Sequence, residues 1–252
     1  MVNCQGQSLN LTGGECVHDF GAFVYLDLHK TGSTYVSSFL TSCCLLPEVR
    51  FIKHESVKED YRPESFYFIT IRHPLRMWSS LYRYGLERKG FVYVRISEAG
   101  LTSCYEDFDK FVSFCLEPEN AIHLGEGYTF EISQQIGFMS FRYLALSLHK
   151  PLEAIHQSLA TSLPLEKLNS HFITSLEIKN EELVEAMWNF SHKTFPQHFD
   201  RAKAAKFLEQ NTRMNVSKLE ATEITGLQES TLNLLYTKEH LILSRYETEY
   251  FS

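Results

Sequence analysis

With 252 residues, 44% hydrophobic and 22% charged, the chain can bury one full-sized core and lacks the polar bias of a disordered protein. A formal charge of −7 excludes broad binding to nucleic acid or anionic membrane, because either would need a basic face. Any anionic ligand must then be met by a local concentration of positive groups.

Residues 1–20 read as an irregular lead-in. Val24, Leu26 and Leu28 alternate as a strand, His29 to Ser33 form a polar turn, and a helix follows over about 34–44, with Tyr35, Val36, Phe39 and Leu40 on its apolar face. A short strand over 49–53 leads into Lys53-His54-Glu55-Ser56. A β-rich run over 66–71 is stopped by Arg72-His73-Pro74, and a second helix is expected from Leu75 to Tyr84. Residues 86–104 read as a loop. Helices follow near 105–116, 133–148 and 152–162, a further strand over 172–176 and a helix over 181–190. The stretch 196–212 is polar and basic. A last helix starts near Gln228, where Thr225 and Gln228 have capping-box spacing. Strands alternating with helices, without repeat or linker, predict a single α/β domain over 1–252 built from parallel β-α-β units.

Two strand ends carry the chemistry. Lys30-Thr31-Gly32-Ser33-Thr34 lies where a helix begins, so its backbone N–H groups lack intrahelical acceptors and the helix dipole favours an anion. Lys30 adds a full charge, Gly32 permits close approach, and the hydroxyls are further donors. The spacing is not that of a Walker A loop, because the lysine precedes the glycine. At the second end, Arg72 offers a planar, permanently charged fork suited to phosphate, and Ser80 lies two turns into the following helix.

Together these stretches resemble the PAPS-dependent sulfotransferases. Their 5′-phosphosulfate loop usually reads Pro-Lys-Thr-Gly-Thr/Ser-Thr/Ser-aromatic, and their 3′-phosphate motif joins an arginine, Asp/Asn and Pro to a helix bearing a serine. Here His29 replaces the proline, Tyr35 stands where Trp or Phe is commoner, and His73 replaces Asp or Asn. The resemblance covers the first hundred or so residues well and the remainder weakly. It implies a three-layer, P-loop-like fold with a central parallel sheet of four to five strands. It also implies PAPS as co-substrate, with no metal. His29, Lys30, Thr31, Gly32, Ser33, Thr34 and Tyr35 would surround the 5′ end, and Arg72 and Ser80 the 3′-phosphate. Asn215 and Ser217, in a stretch similar to one that closes near the nucleotide in carbohydrate-type members, would be further contacts; an N-cap at Ser217 is the alternative.

The implied reaction moves a sulfonate to a hydroxyl, or less readily an amine, of a carbohydrate, glycolipid or small metabolite. Lys30 would stabilise charge on the leaving phosphate, with Ser80 among the catalytic set. His54 is the first candidate for general base, Glu55 the second, and His29 or His73 remain open. Tyr82, Arg83, Tyr84, Arg88, Tyr93 and Arg95 could line an acceptor cleft or be solvated loop residues. A non-catalytic nucleotide-binding module and a P-loop kinase of a small metabolite are the competing readings. No apolar run reaches the roughly 18–20 residues of a membrane span. Met1 to Asp19 lacks the features of a signal peptide, and Asn10, Asn189 and Asn215 read as chance glycosylation triplets. Six scattered cysteines without metal spacing fit reduced thiols in the cytoplasm; a luminal domain separated from its anchor is the alternative.

Overall fold

The computed structural model of the chain describes residues 16–53, 57, 60–125, 127–149, 154–156, 158, 171–210 and 227–248. Five strands, β1 (Cys16–Asp19), β2 (Phe23–Asp27), β3 (Arg50–Lys53), β4 (Phe66–Ile71) and β5 (Leu176–Lys179), form one sheet in the order β3-β1-β2-β4-β5. β2, β4 and β5 run parallel, and β1 is antiparallel to both β2 and β3. The sheet is therefore mixed, which corrects the expectation of a parallel sheet; its parallel core is three strands wide. The correction comes from β1, which falls inside the stretch read as an irregular lead-in. Its partners lie on β2 and β3, so nothing local to Cys16–Asp19 announces it.

Helices cover both faces. Alternate residues of the buried strands point to opposite sides. Phe23, Tyr25, Phe68 and Ile178 meet Tyr35, Val36, Phe39 and Leu40 of α1 (Ser33–Cys43). Leu183 and Met187 of α7 (Leu183–Asn189) and Ala204 and Leu208 of α8 (Arg201–Glu209) complete that layer. On the other side Val24, Leu26, Ile69 and Ile71 pack with Met77 and Trp78 of α2 (Pro74–Leu86). Behind these lie α3 (Phe91–Glu98), α4 (Phe108–Leu116), α5 (Phe130–Gln135) and α6 (Phe138–Ser147), then α9 (Glu229–Lys238) and α10 (His240–Glu247). Each large apolar side chain taken out of water here contributes about 1.5–3 kcal/mol. α3 and a 3-10 turn over Thr102–Glu106 replace most of the loop expected over 86–104. β5 begins at Leu176, where the expected strand ended.

One polar contact ties the second helical layer together. Glu239, fully buried between α9 and α10, accepts hydrogen bonds from the Trp78 indole at 2.9 Å and from the backbone N–H groups of Met139 and Ser140 at 3.1 and 2.7 Å. Those two amides are orphan donors in the first turn of α6, so Glu239 caps that helix from a distant element. Burial pushes its carboxyl pKa up, while the hydrogen bonds from Ser140, Met139 and Trp78 act against that shift. Gly137 leaves the room it needs, since a Cβ there would lie 2.3 Å from Glu239 Oε1.

Candidate anion-binding site

The parallel register that pairs Leu26 with Ile69 brings the turn after β2 and the end of β4 to the same sheet edge. α1, which follows β2, packs on one face; α2, which follows β4, packs on the other. Adjacent parallel strands whose helices diverge leave a crevice at their carboxyl ends, the place where open α/β sheets bind ligands. Across that crevice Arg72 donates from Nη1 to the carbonyl of Lys30 at 3.2 Å.

The β2–α1 turn is shaped by two left-handed residues, Lys30 at φ 67° and Gly32 at φ 97°. For lysine this costs roughly 1–2 kcal/mol, strain that the surroundings must hold. The Thr31 hydroxyl holds it from inside. It donates to the Leu28 carbonyl at 2.5 Å and lies 2.6 Å from Thr70 Oγ1, which in turn meets the Tyr25 hydroxyl at 2.9 Å. Thr31 is fully buried, and its hydroxyl is engaged within the turn. From α7's approach, Asn180 Nδ2 donates to the Thr31 carbonyl at 2.8 Å.

Gly32 is required twice over, by its φ and because a Cβ would come within 2.6 Å of both Asn180 Nδ2 and Leu183 Cδ1. Gly32→Ala is expected to cost about 1–3 kcal/mol and to open the turn; chemical denaturation alongside anion titration checks both effects. Past Gly32, Tyr35 is the first residue to donate within the helix, to the Gly32 carbonyl at 2.9 Å, and no acidic residue occupies the first turn. Ser33 and Thr34 stand at this end, and they and His29 are half-buried. The Tyr35 ring instead packs edge-on against Phe207, 5.5 Å away, in the α1 core layer. The Tyr35 ring thus sits in the packing between α1 and α8.

The Lys30 ammonium rests 3.5 Å above the Tyr84 ring of α2. Burial lowers its pKa to about 8; Arg142 and, more weakly, Arg72 act in the same direction, and Glu87 acts against them. Arg72 is also lowered, first by burial and then by Arg76 and Arg83, against Glu181. As an arginine it stays charged throughout.

A cavity of about 460 Å³ opens beside Arg72. Arg76, Ser79 and Arg83 recur at helical spacing on α2 and line it with Arg72, at the strand end, and Leu75; Leu227, just before α9, and Leu232 within it complete the lining. Ser79 is 2% exposed, and its hydroxyl has no hydrogen-bond partner among the described residues. Ser80, the serine the family spacing selects, is half-buried one residue further round the helix and is not part of this lining. Arg76 reaches Glu181 at 2.7 Å. His73 precedes Pro74 as the N-cap of α2 and sits edge-on between Tyr236 and Tyr246, at 5.9 and 5.4 Å; burial, then Arg76, lowers its pKa.

Of the expected acceptor-cleft residues, Tyr84 adjoins Lys30 and Arg83 adjoins the cavity. Tyr82 packs on Tyr105 and Phe111, and Tyr93 packs on Tyr105. Arg95 donates to the Ile122 carbonyl. Arg88, at φ 57°, belongs to the turn between α2 and α3. His54, Glu55, Asn215 and Ser217 lie outside the described residues. β3 ends at Lys53, level with Cys16, which is itself level with Asp27, so β3 finishes at the Lys30 edge of the sheet. Arg142, Glu87, Ser79 and Asn180 were not singled out from sequence. Only Ser79 carried a local signal, its helical phase with Arg76 and Arg83.

No family model, curated protein or solved structure matches this chain. Among the described residues no group of three or more His, Cys, Asp or Glu side chains is placed to hold a metal ion, and no helix is long and apolar enough to cross a membrane.

Proposed function

We propose that the chain is a PAPS-dependent sulfotransferase with a P-loop-like fold, transferring a sulfonate to a hydroxyl of a carbohydrate, glycolipid or small metabolite. The observation that carries this reading is the pairing of two cationic strand ends in one crevice, with the Arg72 guanidinium 3.2 Å from the Lys30 carbonyl. A ligand anionic at both ends fits that arrangement better than a single phosphate does. In this reading the N–H groups around Gly32, with Ser33, Thr34 and His29, hold the 5′-phosphosulfate, and Lys30 neutralises the leaving phosphate. Arg72 takes the 3′-phosphate in the cavity, with Ser79 its nearer hydroxyl partner and Ser80 the alternative that family spacing favours. Transfer is in line: the acceptor oxygen bonds to sulfur as the bond from sulfur to the phosphate oxygen breaks. His54, the residue after β3, takes the acceptor's proton, with Glu55 second. Free cysteines at 43, 44, 104 and 115 support a reducing, cytoplasmic setting; burial pushes the Cys43 and Cys104 thiols up to about 11.

The lowered Lys30 pKa gives two effects of opposite sign. Affinity for PAP, the desulfated product, is expected to fall as pH rises through about 8, because the ammonium loses its charge there. Ligand-free stability is expected to rise from about pH 8 towards the ordinary lysine value of 10.5, because the unfolded chain then holds the proton that the folded one has released. Calorimetric titration and urea unfolding across pH 7–10 read the two trends, and Lys30→Met should remove both. Labelled PAPS offered with a panel of acceptors tests transfer itself. Tight binding of ATP in preference to PAP would favour the kinase reading.

A further inference from the structure

The cavity beside Arg72 is lined by three arginines, and among the described residues only Arg76 is paired with a carboxylate, Glu181 at 2.7 Å. Arg72 donates from Nη1 to the Lys30 carbonyl, but its Nε is buried with no hydrogen-bond partner among the described residues. Arg83 Nε is buried and unpartnered in the same sense, and so is the hydroxyl of Ser79, 2% exposed. The Arg83 charge is also one of those that lower the Arg72 pKa.

Buried donors are nearly always satisfied, so each orphan asks for an acceptor. Here three belong to the lining of one cavity of about 460 Å³, and two of them are on cations. Their arrangement is local in origin: Ser79 and Arg83 are one helical turn apart on α2, and Arg72 stands just before Pro74, which starts that helix. Such a set calls for an anion rich in acceptors. A carboxylate or a phosphodiester offers two free oxygens and a single charge. A terminal phosphomonoester offers three free oxygens and a second charge, which two guanidinium forks and a hydroxyl can share. Leu75, Leu227 and Leu232 supply the rest of the lining, apolar surface suited to the sugar or ring that carries the phosphate.

We propose that Arg83 is a second guanidinium on the phosphate that Arg72 holds, so that this cavity is a phosphomonoester site, with Ser79 donating to the same group. That the phosphate is the 3′-phosphate of PAP rests on the sulfotransferase reading; the site itself needs only a terminal phosphate. Arg76 already has Glu181 and is not required.

Calorimetry of the full chain with PAP, 5′-AMP and phenyl phosphate separates the two claims. Arg83→Gln is expected to bind PAP about 10- to 100-fold more weakly, with 5′-AMP, whose phosphate belongs at the Lys30 turn, within about threefold of wild type. Ser79→Ala should lose several-fold on PAP alone. Phenyl phosphate, a phosphomonoester without the nucleotide, should weaken about 10-fold in Arg83→Gln. Equal loss of PAP and 5′-AMP, or loss of neither, would overturn the role of Arg83. A wild-type chain that binds phenyl phosphate through Arg83 but does not bind PAP would keep the site and refute the nucleotide reading. One that binds neither would overturn the site. The melting temperature is the second readout. Because Ser79 Oγ and Arg83 Nε bond nothing among the described residues, both variants should melt within about 2 °C of wild type or above it. A fall of several degrees in both would mean that these donors serve the fold, and would overturn the assignment.

Discussion

Arg72→Ala is expected to weaken PAP binding by about 100-fold or more while leaving affinity for 5′-AMP nearly unchanged. A charge-assisted, bidentate contact to phosphate is worth about 1.5–3 kcal/mol, more where water is excluded, and Arg72 is half-buried beside a cavity that carries two further arginines. The selectivity matters as much as the loss. If Arg72 held only the β2–α1 turn, through its bond to the Lys30 carbonyl, its removal would weaken both ligands alike. Arg72→Lys retains charge without the fork and should fall between. Lys30→Ala is the complement, lowering affinity for PAP and 5′-AMP together, because both carry the 5′-phosphate.

Glu239→Ala is expected to have the largest effect on stability of any substitution outside the crevice. It strands three buried donors at once: the Trp78 indole and the first-turn amides of Met139 and Ser140. Removing one partner from such a site costs about 3–5 kcal/mol, several times a surface contact. For a chain of this size that lowers the melting temperature by roughly 10 °C. Melting curves and urea unfolding test this, and a change below about 1 kcal/mol would show that solvent or neighbouring groups replace the cap.

The two strand–turn–helix units were legible because everything that specifies them is local. Alternating apolar residues run into Gly32 in one case and Pro74 in the other, and the helices begin where these residues allow. Their register against each other, Leu26 beside Ile69, follows once both are parallel and buried. What escaped depends on partners distant in sequence. β1 is four residues long and becomes a strand only between β2 and β3. The direction of the Thr31 hydroxyl is set by Thr70, thirty-nine positions away, so a residue that reads as a phosphate donor turns inward. β5 contains Glu177, a charge in a strand; it is tolerated there because the Tyr143 hydroxyl donates to it at 2.5 Å. Ser79 could have been found: positions 76, 79 and 83 share one face of α2, a signal that the family spacing to Ser80 obscured.

The most direct measurement is a calorimetric titration of the wild-type protein with PAP, 5′-AMP and 3′-AMP at neutral pH. Two grips on one molecule require that PAP bind at least about 100-fold more tightly than either monophosphate, with both monophosphates competing for its site. Equal affinity for PAP and 5′-AMP would mean that Arg72 and its cavity do not engage the nucleotide, and the account built on the Lys30–Arg72 crevice would be wrong.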